Sequence, residues 1–244
     1  MALDFKTLFS VSKPVIGMIH LAGHDRAEKV KRALEELIIY EEEGVNGAII
    51  ENYHGDAEDV NEALKQSSGE QFKIVRGINV LSNPYIAFSS AHSFGARFVQ
   101  FDSVQTPDLS LKMYEWNRKL YPNVSVLGGV RFKYTRKTGN PLELDLKEGK
   151  SRCEAIVTTG AGTGIETPID KLEAFKKYLG KFPLIVGAGV TADNVYNQLM
   201  IADGAIVGSY FKPNGDTLLP VDRPRVKELM GIVKQVRKDY VGNN

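Results

Sequence analysis

The stretches Pro183-Leu-Ile-Val-Gly-Ala-Gly-Val-Thr191 and Ala202-Asp-Gly-Ala-Ile-Val-Gly-Ser209 decide the fold of this 244-residue chain. Each is a short apolar run of the kind that forms a buried strand, and each is closed by glycine. The two runs lie about 20 residues apart with one short helical stretch between them, which is the spacing of the last two βα units of a parallel barrel. They therefore predict the seventh and eighth strands of a (β/α)8 fold.

The same glycines predict a binding site. A glycine just past a parallel strand lets backbone N–H groups approach an anion closely, and the N-terminus of the following helix adds partial positive charge. Gly187 and Gly189 follow the seventh run, and Gly208 and Ser209 follow the eighth. These four residues are the predicted phosphate-binding residues.

Six further β-branched runs precede this pair along the chain. They are apolar throughout rather than alternating, which is typical of strands buried on both faces of a parallel sheet. Amphipathic segments at 27–43, 170–179 and 225–240 predict helices, and a weaker segment at 144–152 predicts a helix of little more than a turn or two. The runs lie at 15–19, 47–50, 73–78, 97–101, 125–130 and 155–157.

Eight candidate strands with helices between them predict one α/β domain over residues 1–244, a single TIM barrel of the (β/α)8 type. A doubly wound open sheet is the competing architecture, because it uses the same alternation. The count of eight and the paired glycine loops favour the closed barrel. We find no linker or low-complexity segment that would divide the chain.

Composition narrows the possible partners and location. With 31 Lys and Arg against 30 Asp and Glu, the chain lacks the basic surplus that binds a nucleic-acid backbone, so we expect no nucleic acid. The single cysteine, Cys153, cannot form an internal disulfide and fits a reducing, cytoplasmic compartment. No apolar run approaches a membrane span, and no standard export signal is expected. We predict no cofactor, and a homo-oligomer is left open.

The predicted catalytic residues follow strands, because chemistry in such barrels lies at the C-terminal ends of the strands. His20 can exchange a proton near neutral pH, although a structural histidine at the rim fits equally well. Glu51 and Asp102 end the second and fourth strands, where a buried acid must reach the mouth or a partner. These three form a proton-transfer set or a hard-cation site. A divalent metal stays open, although no tight metal spacing such as HExxH is present.

Lys133, after the fifth strand, is the fourth predicted catalytic residue. It contacts a substrate anion, forms a Schiff base, or belongs to a solvated basic loop that also contains Arg131 and Arg136. Asn52 and Asn79 are expected to orient substrate hydroxyls. Thr158 and Asn194 complete the predicted substrate contacts.

Several segments, in order along nearly the whole chain, resemble the BtpA/SgcQ family. That resemblance implies a TIM barrel of the ribulose-phosphate-binding type. The family takes its name from a cyanobacterial factor needed for photosystem I biogenesis, and its members also look like predicted sugar-phosphate enzymes. The segments are Lys13-Pro-Val-Ile-Gly-Met-Ile-His-Leu, Ile50-Glu-Asn-Tyr with Gly55-Asp, Ile156-Val-Thr with Gly162-Thr-Gly, Val186-Gly-Ala-Gly-Val-Thr-Ala-Asp-Asn, Ala202-Asp-Gly-Ala-Ile-Val-Gly-Ser with Phe211-Lys, and Pro220-Val-Asp with Arg225-Val.

Two segments depart from the family pattern, and both lie at the predicted mouth. Ala22-Gly-His-Asp stands where the family has a Pro/Gly-rich loop, and Phe98-Val-Gln-Phe-Asp replaces an Arg/Asn-containing fourth strand. The substrate is therefore expected to differ from that of typical members.

The leading functional hypothesis is an enzyme that acts on a small phosphorylated metabolite, a sugar or nucleoside phosphate. The expected chemistry is acid/base catalysis of isomerisation, lyase or aldol reaction, or glycosyl cleavage. A non-catalytic biogenesis or assembly factor that retains the barrel is the alternative from another class. Prenyl-phosphate transfer is a weaker alternative, since it requires an apolar slot for the lipid. The sequence identifies neither the substrate nor the reaction.

Overall fold

A computed structural model describes residues 2–69, 72–81, 83–106 and 108–242, with side chains described up to residue 240. Eight parallel strands pair in sequence order, and the last pairs back to the first, so the sheet is a closed barrel. The predicted (β/α)8 architecture is confirmed. The strands are β1 Val15–Ile19, β2 Gly47–Glu51, β3 Val75–Asn79, β4 Phe98–Phe101, β5 Ser125–Gly129, β6 Ala155–Thr159, β7 Leu184–Gly187 and β8 Gly204–Val207.

Helices connect the strands, and the four predicted from amphipathic segments are all present. The weakest prediction, 144–152, corresponds to a regular helix of nine residues. The helices of the described ranges are α1 Phe5–Phe9, α2 Arg26–Glu42, α3 Ala57–Gln66, α4 Ile86–Phe94, α5 Leu111–Leu120, α6 Leu142–Lys150, α7 Ile169–Leu179, α8 Val195–Ile201 and α9 Arg223–Gly242. None of them is long and apolar enough to cross a membrane.

Helix α1, which periodicity did not predict, packs onto the core that fills the barrel. Asp4 caps its N-terminus by accepting a hydrogen bond from the Thr7 backbone N–H at 3.0 Å. Phe5, Leu8 and Phe9 join the interior cluster, and the Phe9 ring lies edge-on to Phe98 with centroids 5.7 Å apart. Because the N-terminal ends of the strands lie on this side, chemistry is left to the opposite end.

Alternation along the strands decides which side chains point inward. The inward residues include Ile49 on β2, Phe98 on β4, and Ala155 and Val157 on β6, whereas Ile156 belongs to the outer core beneath the helices. Counting on in steps of two places Glu51, Asp102 and Thr159 on the inward face at the upper rim. The fold thus presents polar side chains at one end of the barrel.

One glycine of β5 permits a close approach of two backbones below this rim. A Cβ atom built on Gly129 would lie 1.9 Å from the backbone carbonyl oxygen of Asp102. The Gly129 carbonyl in turn accepts a hydrogen bond from the Val104 N–H at 3.0 Å. The segment that carries Asp102 therefore folds over β5 only because position 129 has no side chain.

Gly129→Ala should accordingly destabilise the protein. We expect the free energy of unfolding to fall by about 1–3 kcal/mol, the usual cost of overpacking, in urea denaturation. Gly231→Ala in exposed α9 is the matched control, because nothing lies within 4 Å of its added Cβ. The free energy of unfolding of the control should equal that of wild type or exceed it by up to about 1 kcal/mol, because alanine has the higher helix propensity. Equal stability of the two variants would contradict the close approach at Gly129.

Candidate functional site

A cavity of about 140 Å3 lies at the C-terminal end of the barrel. Met18, Val157 and Ile206 give it apolar lining residues from β1, β6 and β8. Its polar lining comes from seven of the segments that follow or end the strands. Those residues are His20, Glu51, Gln100, Asp102, Lys133, Thr159, Thr163, Gly187, Gly189, Gly208 and Ser209.

Glu51 and Asp102 are joined through a third residue. The Nδ2 amide of Asn79 donates to Glu51 Oε1 at 2.9 Å and to Asp102 Oδ1 at 3.0 Å. Asn79 is only 1% exposed, so its side chain is fixed by these bonds behind the carboxyl groups rather than in the cavity. Asp102 Oδ1 also accepts from Gln100 Nε2 at 3.1 Å. The two carboxyl groups are thus held together on one wall.

Burial raises the pKa of both carboxyl groups, so that they are weaker acids than usual. Loss of solvation, with a smaller effect from the Asp102 charge, raises the pKa of Glu51 to about 8. Burial also raises the pKa of Asp102, while its hydrogen bonds from Asn79 and Gln100 oppose the rise. Because Asp102 receives two bonds that favour its ionised form and Glu51 receives one, Asp102 ionises first and Glu51 keeps the proton. The two carboxyl groups therefore differ in how readily they give up a proton, and Glu51 holds its proton more strongly.

His20 is a neutral imidazole in this setting. Burial, helped by the charge of Lys212, lowers the pKa of His20 to about 3. Its Nδ1 atom and the Oε1 atom of Gln100 are buried in the cavity wall without hydrogen-bond partners in the described structure. Buried polar atoms without partners are rare, and a ligand in the cavity is one way to satisfy them.

The wall opposite the acids consists of the two predicted glycine loops. Ala188 and Gly189 both have left-handed backbones, with φ of 61° and 62°. Among the described residues, no acceptor takes the backbone N–H groups of Gly189, Gly208 or Ser209, although all three residues line the cavity. Unpaired backbone N–H groups that border one cavity suit an anion.

Glycine is required at 189 by its neighbours as well as by its backbone angle. An added Cβ would lie 2.2 Å from the Glu166 backbone nitrogen, in the loop that follows β6. That loop also reaches Lys133, whose Nζ donates to Thr163 Oγ1 at 2.8 Å, and Tyr134, whose hydroxyl accepts from the Thr163 N–H at 3.0 Å. The loops after β5, β6 and β7 therefore form one packed border of the cavity.

The structure brings eight of the predicted site residues to the cavity and leaves four outside it. Asn52 accepts from the Leu81 N–H at 2.8 Å and braces two loops, and Asn79 stands behind the acids. Asn194 spans its own loop, accepting from the Thr191 N–H at 2.8 Å and donating to the Gly189 carbonyl at 2.8 Å. Thr158 is fully buried on the outer face of β6, so the placement of its side chain at the mouth is corrected to Thr159.

Sequence reasoning missed several cavity residues. Gln100 and Thr159 share the inward face with Asp102 and Val157 by two-residue steps, so strict counting along β4 and β6 would have found them. Tyr53, Tyr134 and Thr163 sit on loops whose course no periodicity indicates. Within the described residues, no three His, Cys, Asp or Glu side chains are grouped in a way that could hold a metal ion.

The closed barrel, with a cavity at the C-terminal ends of its strands, defines the chain as a TIM-barrel protein. The model of the BtpA family matches residues 11–235, so the chain belongs to this family and the predicted resemblance is confirmed. An uncharacterized protein of Pyrococcus abyssi is 30% identical over 93% of this chain and 98% of the relative. The photosystem I biogenesis protein BtpA of Synechocystis sp. is 26% identical over 92% of this chain and 89% of its own.

Solved structures share the fold at low identity. N-(5'-phosphoribosyl)anthranilate isomerase from Pyrococcus furiosus has a TM-score of 0.60 at 17% identity, covering 91% of this chain and 99% of its own. Thiamine phosphate pyrophosphorylase from the same organism has a TM-score of 0.61 at 15% identity, covering 94% and 98%. At these identities the likeness shows the barrel fold alone.

The raised pKa of Glu51 predicts a pH-dependent stability. The unfolded chain loses this proton near its ordinary pKa of 4.5 and the folded chain near 8, so stability falls as pH rises through that interval. Glu51→Gln removes the titration. Its free energy of unfolding, relative to wild type, should rise by at least about 1 kcal/mol between about pH 5 and about pH 8. Urea denaturation at both pH values measures this difference.

Glu115→Gln, on the exposed face of α5, serves as the matched control. Its stability relative to wild type should stay constant over the same interval. A constant difference for Glu51→Gln as well would mean that Glu51 ionises normally in the folded protein.

Proposed function

We propose that this protein is an enzyme that acts on a small phosphorylated metabolite, a sugar or nucleoside phosphate, by proton transfer. One observation carries the proposal. A single cavity has a buried carboxyl pair on one wall and unpaired backbone N–H groups on the other. The first suits acid/base chemistry and the second suits an anion.

In this proposal the phosphate lies between the loops after β7 and β8. The N–H groups of Gly189, Gly208 and Ser209 donate to its oxygens, and the Ser209 hydroxyl adds a further donor. Two solved barrels of the same fold bear the names of a phosphoribosyl isomerase and a thiamine phosphate pyrophosphorylase, which supports a phosphorylated substrate.

The acid and base roles follow from the pair's unequal ionisation. Glu51, protonated at neutral pH, donates a proton to the reacting group, while ionised Asp102 accepts one. Asn79 positions both carboxyl groups, and neutral His20 donates or accepts a hydrogen bond without changing the charge of the cavity. Isomerisation, lyase or aldol reaction and glycosyl cleavage can each use such an acid and base pair.

A second candidate is a non-catalytic factor of the biogenesis type. The Synechocystis relative bears a biogenesis function in its name. Such a factor would retain the barrel, and substitutions of Glu51 or Asp102 would leave its role intact.

Ser209→Asp tests the anion site by placing a carboxylate among its donors. We expect affinity for inorganic phosphate at this site to fall at least about 100-fold, because like charges repel across a short distance. The amide signals of Gly189, Gly208 and Ser209, followed by 1H–15N NMR during a phosphate titration, give the measurement. Ser209→Asn, which has nearly the same shape without the charge, should bind within about tenfold of wild type. Unmoved wild-type signals would refute the site.

Glu51→Gln and Asp102→Asn test the catalytic pair. A thermal-shift screen of sugar phosphates and nucleoside monophosphates identifies a ligand that stabilises the native protein, and turnover of that ligand is then measured. Each variant should lower kcat by about 10²–10⁴-fold while the ligand still raises the melting temperature. Full turnover in both variants would remove the catalytic assignment.

A further inference from the structure

A second cavity, of about 700 Å3, adjoins the first on the side of the loops after β5 and β6. Phe132, Lys133, Tyr134 and Thr159 line both cavities, so the two share one wall. The lining of the second cavity includes five cationic side chains and one acid, and the mechanism proposed above uses none of them. The cations are Arg131, Lys133, Arg136, Lys137 and Lys171, and the acid is Asp145.

Gln105 supplies an unused hydrogen-bond donor in the wall of this cavity. The residue is 3% exposed, and its Nε2 atom has no partner in the described structure. The orientation of the amide is fixed, because its Oε1 atom accepts the Arg131 N–H at 2.8 Å. A buried donor without an acceptor costs free energy. An anion in the cavity would supply the missing acceptor.

Lys171 supplies an ammonium group that pairs with no carboxylate of the described residues. Its Nζ donates to the Thr159 carbonyl at 2.6 Å and to the Arg131 carbonyl at 3.0 Å. Burial, and the nearby charge of Arg131, lower the pKa of Lys171 to about 8. Within the described ranges no carboxylate lies within 4.0 Å of Lys133, Lys137 or Lys171.

Arg131 brings these two donors together. Its backbone is left-handed, with φ of 48°, a conformation that costs a non-glycine residue free energy. In that conformation its N–H donates to Gln105 Oε1 and its carbonyl accepts from Lys171 Nζ. Its guanidinium pairs with buried Asp145 at 2.7 Å. The strained residue therefore organises the wall, and its own charge is already matched.

We propose that the second cavity binds a second anionic group, a phosphate or carboxylate, of the same substrate. The inference rests on the proposed function, since it makes the substrate a metabolite with two anionic ends. One end lies at the glycine loops and the other lies between Gln105 and Lys171. Lys133, in the shared wall, is near enough to both cavities to contact the part of the substrate between them.

The test is a 1H–15N NMR titration of the full chain with inorganic phosphate. The side-chain amide signal of Gln105 should shift in wild type. In Lys171→Met the same shift should need a phosphate concentration at least about tenfold higher. Lys177→Met is the matched control, because Lys177 is exposed on the same helix and its loss changes the net charge equally. The control should titrate like wild type. A stationary Gln105 signal, or equal effects of the two lysine variants, would overturn the proposal.

A second arm asks whether the two cavities hold one molecule. Linear alkanediol bisphosphates of increasing length are compared with the monophosphate of each diol. Wild type should bind at least one bisphosphate about tenfold or more tightly than its monophosphate, because tethering raises the effective concentration of the second group. Gln105→Glu keeps the acceptor for Arg131 but adds a repelling charge, and it should remove that gain. Absence of any gain in wild type would overturn the shared-substrate inference.

Failure of this inference differs from failure of the proposed function. Loss of the Gln105 response alone, with the Gly189 and Gly208 amides still responding, refutes the second site and leaves the phosphate site intact. The reverse pattern refutes the proposed phosphate site, and with it the claim that the two anions belong to one substrate.

Discussion

The two-residue period of strands in a closed barrel is the constraint on which this molecule depends. Once eight parallel strands close, every second side chain must enter a shared interior, and the last inward residue of each strand reaches the same rim. Ile49 then Glu51 on β2, and Val157 then Thr159 on β6, follow from that rule. A packed apolar interior and a polar mouth are therefore two ends of one repeating pattern, and a one-residue slip would exchange Thr159 for Thr158.

That pattern gathers polar side chains but does not orient them, and two further devices do so. The first is an amide behind the carboxyl groups, since Asn79 donates to both Glu51 and Asp102. The second is glycine at points of backbone contact, where Gly129 admits the Asp102 carbonyl and Gly189 admits the loop after β6. Both restrict the acids and the glycine loops to fixed positions, and such restriction lowers the reorganisation that ligand binding needs.

Sequence predicts the barrel well because burial on both faces leaves long apolar runs, and all eight strands and the four predicted helices are present. It also indicates which loops meet, since strand ends converge. It predicts side-chain direction less well, as Thr158 shows. It also does not distinguish a residue that lines the cavity from one that hydrogen-bonds to loop backbone, as Asn52 and Asn194 do. No sequence pattern indicates that Gln105 and Lys171 lie in one cavity wall, because both contact Arg131 through its left-handed backbone. Helix α1, five residues long, is too short for periodicity to indicate.

The electrostatics of the two cavities support each other. Two ionised carboxylates would repel a phosphorylated substrate, whereas a pair that holds one proton carries half that charge and also has an acid to donate. Lys133, in the shared wall, opposes the effect of burial on the acids, since its charge lowers the pKa of both Glu51 and Asp102. An arriving anion offsets that charge and so favours protonated Glu51 further. By reciprocity, protonation of Glu51 must then strengthen anion binding by the same factor, so under the proposed function binding of the anionic substrate would favour the protonated, proton-donating form of Glu51.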